Sequence, residues 1–443
     1  MKLPVRDSAN VSKSKPKHFW SSLQLVMQTP RAWMLVSALL TRAAGFITSF
    51  ALSRFIGAEA LGIYTATVNT ASLVVSPFSG VMANNATVMA SAAIRSGDRE
   101  YTLAGRANIV VALVLAVVSL CVFGQLALVS LSTAINQAGY WVIVGGASVV
   151  LGQICAAVLQ GFYHGAGRFI AVSYAYAAVA LIAVICLGPA LWFGGLQGAL
   201  VLLVGFSLGP VALMAHGVLF SPKVEGSISR KTWREVIQRL RESVPSIGAT
   251  TINSAVYWLC AIFLVQRAHG LKGVAVVAVA LQWTTLVLMP ATSWGGVTLK
   301  KLSEALHDGD RSTVWVTMID LMKKNIFATV ALGTGVAVLA EVLADAYNLA
   351  DVGLAGLLAF CALGASVTSL NNVFERLLLC LHKQHYWFLF SSAGYLVQLL
   401  FTYTLIKQDI LIFAVGALSA SLTLNVLCWI GIRRWLPRLA AEA

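Results

Sequence analysis

The sequence predicts an all-α protein that crosses a membrane many times, and three observations support this prediction. Of its 443 residues, 58% are hydrophobic and only 11% are charged, whereas soluble domains carry about 25% charged residues. The apolar residues form blocks of roughly 20, the length that a helix needs to cross a bilayer. The basic residues behind the net charge of +14 lie between those blocks. No nucleic-acid-binding motif accompanies them, so nucleic acid is not an expected partner.

Gly, Pro and charged residues divide the apolar sequence into twelve predicted membrane helices. In chain order they are 32–56, 61–83, 105–131, 138–160, 169–192, 196–220, 245–266, 273–297, 325–345, 352–380, 386–406 and 410–432. The first six form a predicted N-lobe (31–220) and the last six a C-lobe (245–443). Residues 1–30 are predicted to be a basic cytosolic tail with an interfacial segment, and 221–244 a cytosolic linker.

The linker has the pattern of an amphipathic helix lying on a membrane surface. Trp233, Val236, Ile237 and Leu240 fall on one helical face, opposite charged residues. Of the 31 Lys and Arg residues, 26 lie on the linker's side of the membrane and four on the other side. The positive-inside rule then places both termini in the cytosol.

The sequence favours a transporter over an enzyme. The loops opposite the linker are very short, which leaves little room for an active site, and no motif for ATP hydrolysis or nucleophilic catalysis is present. The seven cysteines form no CxxC pair and lie in or beside apolar blocks, which is typical of small buried hydrophobes. No cofactor or metal is expected.

The two lobes resemble each other in sequence. A shift of 213 positions brings Arg54 onto Arg267, Gly57 onto Gly270 and Pro77 onto Pro290. Six spans in each lobe make this a parallel repeat, a common transporter plan. The helices of Pro77 and Pro290 are expected to kink, and the kinks serve either as hinges during transport or for packing alone.

The segment "ALSRFIGAEALGIYTATVNTASLVVSPFSGVMANNATVMA" (51–90) resembles the start of Wzx-type polysaccharide flippases. These belong to the multidrug/oligosaccharidyl-lipid/polysaccharide (MOP) exporter superfamily. The shared pattern is Arg54 at the helix end, Gly57 in the turn, "LG-Y" ending at Tyr64, and Pro77. "LQGFYHGAGRF" (159–169) resembles the family's link between the fourth and fifth spans.

The resemblance implies a V-shaped pair of six-helix lobes that exports its cargo by alternating access. The implied cargo is an undecaprenyl-pyrophosphate-linked oligosaccharide, flipped from the cytosolic to the outer leaflet for O-antigen, capsule or exopolysaccharide synthesis. The implied partners are this polyprenyl-pyrophosphate oligosaccharide, membrane lipids, a polysaccharide polymerase and a chain-length regulator.

Arg42 is the charge placed deepest in the first span, and it is the leading candidate for cargo binding. A central charge costs about 2.5–3.5 kcal/mol on insertion scales, and such residues usually face a cavity or a partner. The N-lobe spans hold no interior carboxylate for Arg42, so its planar guanidinium suits phosphate oxygens. The alternatives are a structural pair or a side chain that bends toward the headgroups.

Further candidate cargo contacts are amide and aromatic side chains at mid-membrane, which suit sugar hydroxyls and sugar rings. They are Asn69, Asn84, Asn253, Tyr257, Gln282, Trp283 and Asn371. Packing between helices or a lipid-facing position is the alternative for each. Arg54 and Arg267 are either secondary anion contacts or interfacial anchors. Glu375 and Arg376 are candidates for ion coupling or for a salt bridge, with Arg42 or Lys383 as possible partners of Glu375.

Two other function classes remain open. A cation-coupled multidrug antiporter of the MATE type resembles this chain in fold, but such proteins typically carry an acidic residue in N-lobe helices, where this chain has Arg42. A membrane polysaccharide polymerase or ligase resembles it in span count, but normally needs a sizeable outer loop.

Overall fold

The computed structural model describes residues 30–95, 101–219, 230–267, 270–293, 298, 301–302, 305–306, 311–381, 383–405 and 409–442. The predicted N-terminal tail and the first part of the predicted linker lie outside these ranges. Helices account for almost all of the described residues, as expected for a chain that must satisfy its backbone hydrogen bonds within a bilayer.

Six helices make up the N-lobe. They are α1 (Pro30–Ala51, continued by a π-helical turn Leu52–Ile56), α2 (Ala58–Arg95), α3 (Tyr101–Ser130), the short α4 (Ser132–Ala138), α5 (Trp141–Gly165) and α6 (Phe169–Leu219). The backbone of α6 breaks at Gly195, with φ 54° and ψ −130°, so α6 contains the predicted fifth and sixth spans. A positive φ of this kind favours glycine because it has no Cβ.

The linker helix and the C-lobe follow. They comprise α7 (Arg230–Glu242), α8 (Val244–Arg267), α9 (Gly270–Val287), the short α10 (Met289–Ser293), α11 (Arg311–Val338), α12 (Ala340–Ala346), a 3-10 turn (Ala350–Val352), α13 (Leu354–Cys380), α14 (Gln384–Leu405) and α15 (Leu411–Glu442). Successive long helices alternate in direction. The connections that carry most Lys and Arg therefore share one side, here called the basic face, and the opposite side is the far face.

Within the described ranges, nine helices are long and apolar enough to cross a membrane, or ten when the bent pair α11 and α12 counts as one span. Each of the twelve predicted spans nevertheless falls on a described helix. The two counts differ because α6 holds two predicted spans and because α2 carries many polar side chains. α2 is the helix that lies along the boundary between the lobes, where those side chains have polar neighbours.

The two repeat-related prolines have different surroundings. α2 continues through Pro77 as one helix. α9, in contrast, ends at Val287, and Pro290 lies in the separate α10, so a break at Leu288 interrupts the predicted eighth span (273–297), whose last four residues lie outside the described ranges. Proline ends a helix readily because it lacks an N–H donor and its ring meets the preceding turn. The hinge roles of Pro77 and Pro290 stay predictions.

The repeat is also visible in the backbone. Gly57 and Gly270 connect α1 to α2 and α8 to α9, and both have positive φ, 120° and 56°. The Gly57 N–H donates to the Leu52 carbonyl at 2.9 Å and closes the π-helical turn. Both lobes therefore use a glycine for the same turn at the far face.

The linker helix packs against the N-lobe. Val236 is fully buried against Met89 of α2 and Ala107 of α3. Ile237 is 61% exposed, and the predicted contact of this apolar face with a membrane surface stays a prediction. The helix thus holds to the N-lobe by a narrow apolar stripe and leaves the rest of its surface open.

Candidate functional site

Most of the predicted site residues line four cavities at or near the boundary between the lobes. The first, here called the seam groove, runs between α1 and the C-lobe and has a volume of about 390 Å³. Its walls are Leu39, Arg42, Ala43, Phe46, Ile47, Phe50, Trp283, Leu286, Leu343, Ala346 and Tyr347. Leu39 and Ile47 are 43% and 41% exposed. The groove therefore opens laterally, toward what would be lipid.

Arg42 is the cation of the seam groove. Its Nη1 donates to the Thr285 carbonyl of α9 at 3.4 Å, a long and weak hydrogen bond. None of the carboxylates in the described ranges pairs with it. Arg42 thus reaches across the boundary between the lobes, and its guanidinium has several donors left in otherwise apolar surroundings.

Two other predicted residues belong to this seam. Trp283 packs edge-on against Phe46, with 5.1 Å between ring centroids, and so contributes to the groove wall. Gln282 Nε2 donates to Ser49 Oγ of α1 at 2.6 Å. Gln282 therefore joins the lobes, which is the helix-packing alternative considered for it.

The second cavity, here called the interlobe cavity, has a volume of about 320 Å³ and lies between α2, α8 and α9. It brings together three predicted residues, Asn69, Asn253 and Tyr257. The Oδ1 atom of Asn253 is buried without a hydrogen-bond partner. Trp258, on the same wall, donates from Nε1 to Thr70 Oγ1 at 3.2 Å and so ties α8 to α2.

The third cavity lies inside the C-lobe and adjoins the second. This C-lobe cavity, of about 180 Å³, shares Tyr257, Leu281 and Thr285 with the interlobe cavity. It contains the predicted Asn371 and also Gln398. Asn371 Oδ1 and Gln398 Nε2 are both buried and have no hydrogen-bond partner among the described residues. The backbone carbonyl of Thr285 is also the acceptor for Arg42. The turn of α9 that contains Thr285 therefore separates these two cavities from the seam groove.

The fourth cavity, here called the vestibule, lies at the basic face and has a volume of about 410 Å³. It joins the predicted residues Asn84, Glu375 and Arg376, which come from both lobes. Its other polar walls include Asn85, Arg239, Glu242, Gln384 and Trp387. Arg239, Glu242, Gln384 and Trp387 were not predicted. The charged residues on the open face of the linker helix could have indicated the first two.

The predicted partners of Glu375 are not its partners in the structure. Arg42 lies in the seam groove, and among the described residues no carboxylate lies within salt-bridge distance of either Arg42 or Lys383. Arg239 and Arg376 are the cations that share the vestibule with Glu375. Among the described residues, Glu375 therefore forms no salt bridge with Arg42 or Lys383.

Two hydrogen-bond donors in the vestibule walls have no partner. They are Asn85 Nδ2, on a side chain that is 7% exposed, and Arg376 Nε. A buried donor without a partner costs about 1–3 kcal/mol, and more when it is charged. The vestibule is therefore set up to receive acceptor atoms.

Arg54 and Arg267 lie at the far face. Arg54 is in the π-helical turn and exposed, and Arg267 ends α8, with a side chain outside the described part of the chain. Their roles as anion contacts or anchors stay predictions.

Comparison with known proteins identifies the fold. No family model and no curated protein matches the sequence. The structure is similar to the "inward-facing conformation of a multidrug resistance MATE family transporter of the MOP superfamily". The TM-score is 0.78 at 13% identity, over 91% of this chain and 96% of the other. The outward-facing conformation of such a transporter gives 0.60 at 14% identity, over 95% and 99%.

A third similar structure is a MOP superfamily transporter from Pyrococcus furiosus, described by a "reverse polarity of binding pocket" that suggests a different function. The TM-score is 0.63 at 13% identity, over 96% of this chain and 99% of the other. These likenesses confirm the predicted fold class: an all-α, multi-pass membrane protein with the two-lobe fold of MATE transporters. They leave the cargo open.

Proposed function

We propose that this protein is a flippase for an anionic lipid-linked oligosaccharide, specifically a polyprenyl-pyrophosphate-linked repeat unit. The observation that carries the proposal is the position of Arg42. Its guanidinium lies in an apolar groove that opens laterally at the boundary between the lobes. A cation in such a groove suits a ligand that combines a phosphate group with a long apolar chain, because guanidinium binds phosphate through paired hydrogen bonds.

The remaining cavities support a polar headgroup. Beside their apolar walls, the interlobe and C-lobe cavities carry amide, hydroxyl and aromatic side chains and, within the described part of the chain, no carboxylate. Such surfaces suit sugar hydroxyls and sugar rings better than a cationic drug. In this proposal the protein lies in the bacterial inner membrane with its termini in the cytosol. A polymerase and a chain-length regulator would use the exported units.

Flipping can be measured in proteoliposomes with a fluorescent undecaprenyl-pyrophosphate-linked disaccharide and an external quencher. Arg42→Ala should slow flipping by about tenfold or more, since a hydrogen bond to a charged group contributes about 1.5–3 kcal/mol. Arg42→Lys should keep part of the rate, because lysine keeps the charge without the planar fork. In cells, Arg42→Ala at normal membrane levels should lose polymer export.

Arg168→Ala is the matched control, because Arg168 is exposed in the connection between α5 and α6. This variant should flip the probe at the wild-type rate. Wild-type flipping by Arg42→Ala would refute the role given to Arg42.

A cation-coupled multidrug antiporter is the second candidate, and two observations favour it. The similar structures described above include multidrug resistance MATE transporters, and Glu375 places a carboxylate in the vestibule. The same proteoliposomes can be loaded with ethidium under a sodium or proton gradient. We expect no gradient-driven ethidium transport. Transport that disappears in Glu375→Gln would establish the antiporter instead.

A further inference from the structure

We infer that the vestibule is a binding site for the sugar portion of the cargo, formed jointly by the two lobes and the linker helix. This inference rests on the proposed function and assigns part of the recognition to residues far from Arg42. The walls come from α2, from α7 and the start of α8, from the end of α13 and from α14. A ligand held there contacts both lobes at once.

The unpartnered donors show what kind of atom the site lacks. Asn85 Nδ2 belongs to the N-lobe and Arg376 Nε to the C-lobe, and neither has a hydrogen-bond partner. Asn85 is more than nine-tenths buried, so bulk water does not readily replace a partner. Both side chains line the vestibule, but the donor atoms themselves are covered, so each side chain must turn toward the cavity to meet an acceptor oxygen of a ligand.

The charges of the vestibule indicate a neutral ligand. Arg239 and Arg376 are balanced by Glu242 and Glu375, so a phosphate would lie beside two carboxylates and a cationic drug beside two guanidinium groups. Hydroxyl groups both donate and accept. They can accept from Asn85 and Arg376 while donating to the carboxylates.

The carboxylate of Glu242 is held in place for this role. Its Oε1 accepts a hydrogen bond from Gln238 Nε2 at 2.9 Å, one turn earlier in α7. The second carboxylate oxygen is left for a ligand hydroxyl. The linker helix therefore contributes an oriented acceptor to the cavity.

The remaining walls and the volume fit a sugar. Trp387 offers an aromatic surface with a polar edge, a combination suited to a ring that is apolar on its face and polar at its rim. The cavity of about 410 Å³ is within the usual size of ligand sites, about 300–1,000 Å³. It therefore holds part of an oligosaccharide and not the whole repeat unit.

The inference can be tested by comparing two lipids on the full-length protein in nanodiscs. One is undecaprenyl pyrophosphate, and the other is the polyprenyl-linked oligosaccharide extracted from the source cells. The wild-type protein should bind the glycosylated lipid more tightly. Asn85→Leu, which removes the Nδ2 donor at nearly constant shape and adds no charge, should weaken that binding about fivefold or more. It should leave the bare lipid unaffected.

Trp387→Ala should have the same selective effect, whereas Arg42→Ala should weaken the binding of both lipids. Gln153→Ala is the control, because Gln153 lines a cavity that lies wholly within the N-lobe, and it should change neither affinity. Each variant is first checked for wild-type monodispersity and thermal stability. Arg376→Gln serves as the second variant should Asn85→Leu fail to fold.

The outcomes separate the two proposals. A protein that binds both lipids with equal affinity, or vestibule variants that weaken neither lipid, would overturn the sugar site and leave the flippase intact. Vestibule variants that weaken both lipids equally would identify a phosphate site instead. A wild-type protein that binds neither lipid would overturn both proposals.

Discussion

The two ends of the boundary between the lobes are built differently. At the far face the lobes touch through their backbones. A Cβ atom added to Gly62 of α2 would lie 2.1 Å from the Leu271 carbonyl oxygen of α9. Glycine is thus needed there for close approach. At the basic face the corresponding space is the vestibule, with charged walls and unpartnered donors.

Hydrogen bonds reinforce the contact away from the vestibule. Trp258 bonds Thr70, Gln282 bonds Ser49, and the Ser53 hydroxyl donates to the Tyr347 carbonyl. Leu52 and Leu61 of the N-lobe belong to the same buried cluster as residues of α8, α9 and α13. Within the described residues, the two lobes are therefore in contact at the far face and separated by the vestibule at the basic face.

This difference shows which contacts must change if the lobes rock during transport. The far-face contacts would have to separate, and the vestibule would have to narrow. The chain superposes better on an inward-facing transporter than on an outward-facing one, with TM-scores of 0.78 and 0.60. An open basic face corresponds to the inward-facing arrangement if that face is cytosolic, as the charge distribution predicts.

The largest expected effect comes from Gly62→Ala, which would break the far-face contact. The added methyl meets the backbone of Leu271, which cannot rotate away as a side chain could. Overpacking of this kind typically costs about 1–3 kcal/mol. We expect a lower thermal midpoint in detergent and, in a cysteine-accessibility assay, more frequent opening at the far face.

Gly80→Ala in the same helix is the matched control. A Cβ atom at Gly80 meets nothing within 4 Å, and alanine is the better helix former. Gly80→Ala should therefore leave the thermal midpoint unchanged or raise it slightly. Equal effects of the two substitutions would contradict the close approach at Gly62.

The fold was more predictable than the site, for a physical reason. Apolar blocks and the distribution of charge follow directly from the bilayer, and they indicated the long helices of both lobes. They did not separate the short α4, α10 and α12, and α11 begins at Arg311, well before the predicted ninth span (325–345). The turn glycines Gly57 and Gly270 identified the repeat because a positive φ favours glycine. The end of α9 was misjudged, because apolar composition continues past Leu288 although the helix does not.

The sequence indicates the candidate residues by the type of their side chains, but not which of them lie together in one cavity. An interior arginine such as Arg42 is conspicuous in any sequence, yet its neighbour Thr285 lies 243 residues away. Asn69 and Asn253 meet because α2 and α8 cross between the lobes, which no local pattern records. Arg239 was counted only as an orienting charge, although its position opposite the apolar face of the linker could have marked it as a candidate.

The smallest predicted effect concerns the hydrogen bond between Ser49 and Gln282. It measures how much one contact between the lobes, away from the vestibule, contributes to stability. Interhelical hydrogen bonds in membranes average about 0.6 kcal/mol by double-mutant cycles, so the coupling of Ser49→Ala with Gln282→Leu should be of that size. The single changes should differ. Ser49→Ala leaves the Gln282 amide buried with no partner, because its Oε1 already has none. Gln282→Leu removes that amide altogether, so Ser49→Ala should be the more destabilising. Thr48→Ala is the control, since Thr48 bonds only the Ala44 carbonyl of its own helix at 2.8 Å. A coupling near zero, measured by thermal unfolding of the four proteins, would mean that the lobes are held together by packing at Gly62 and not by this bond.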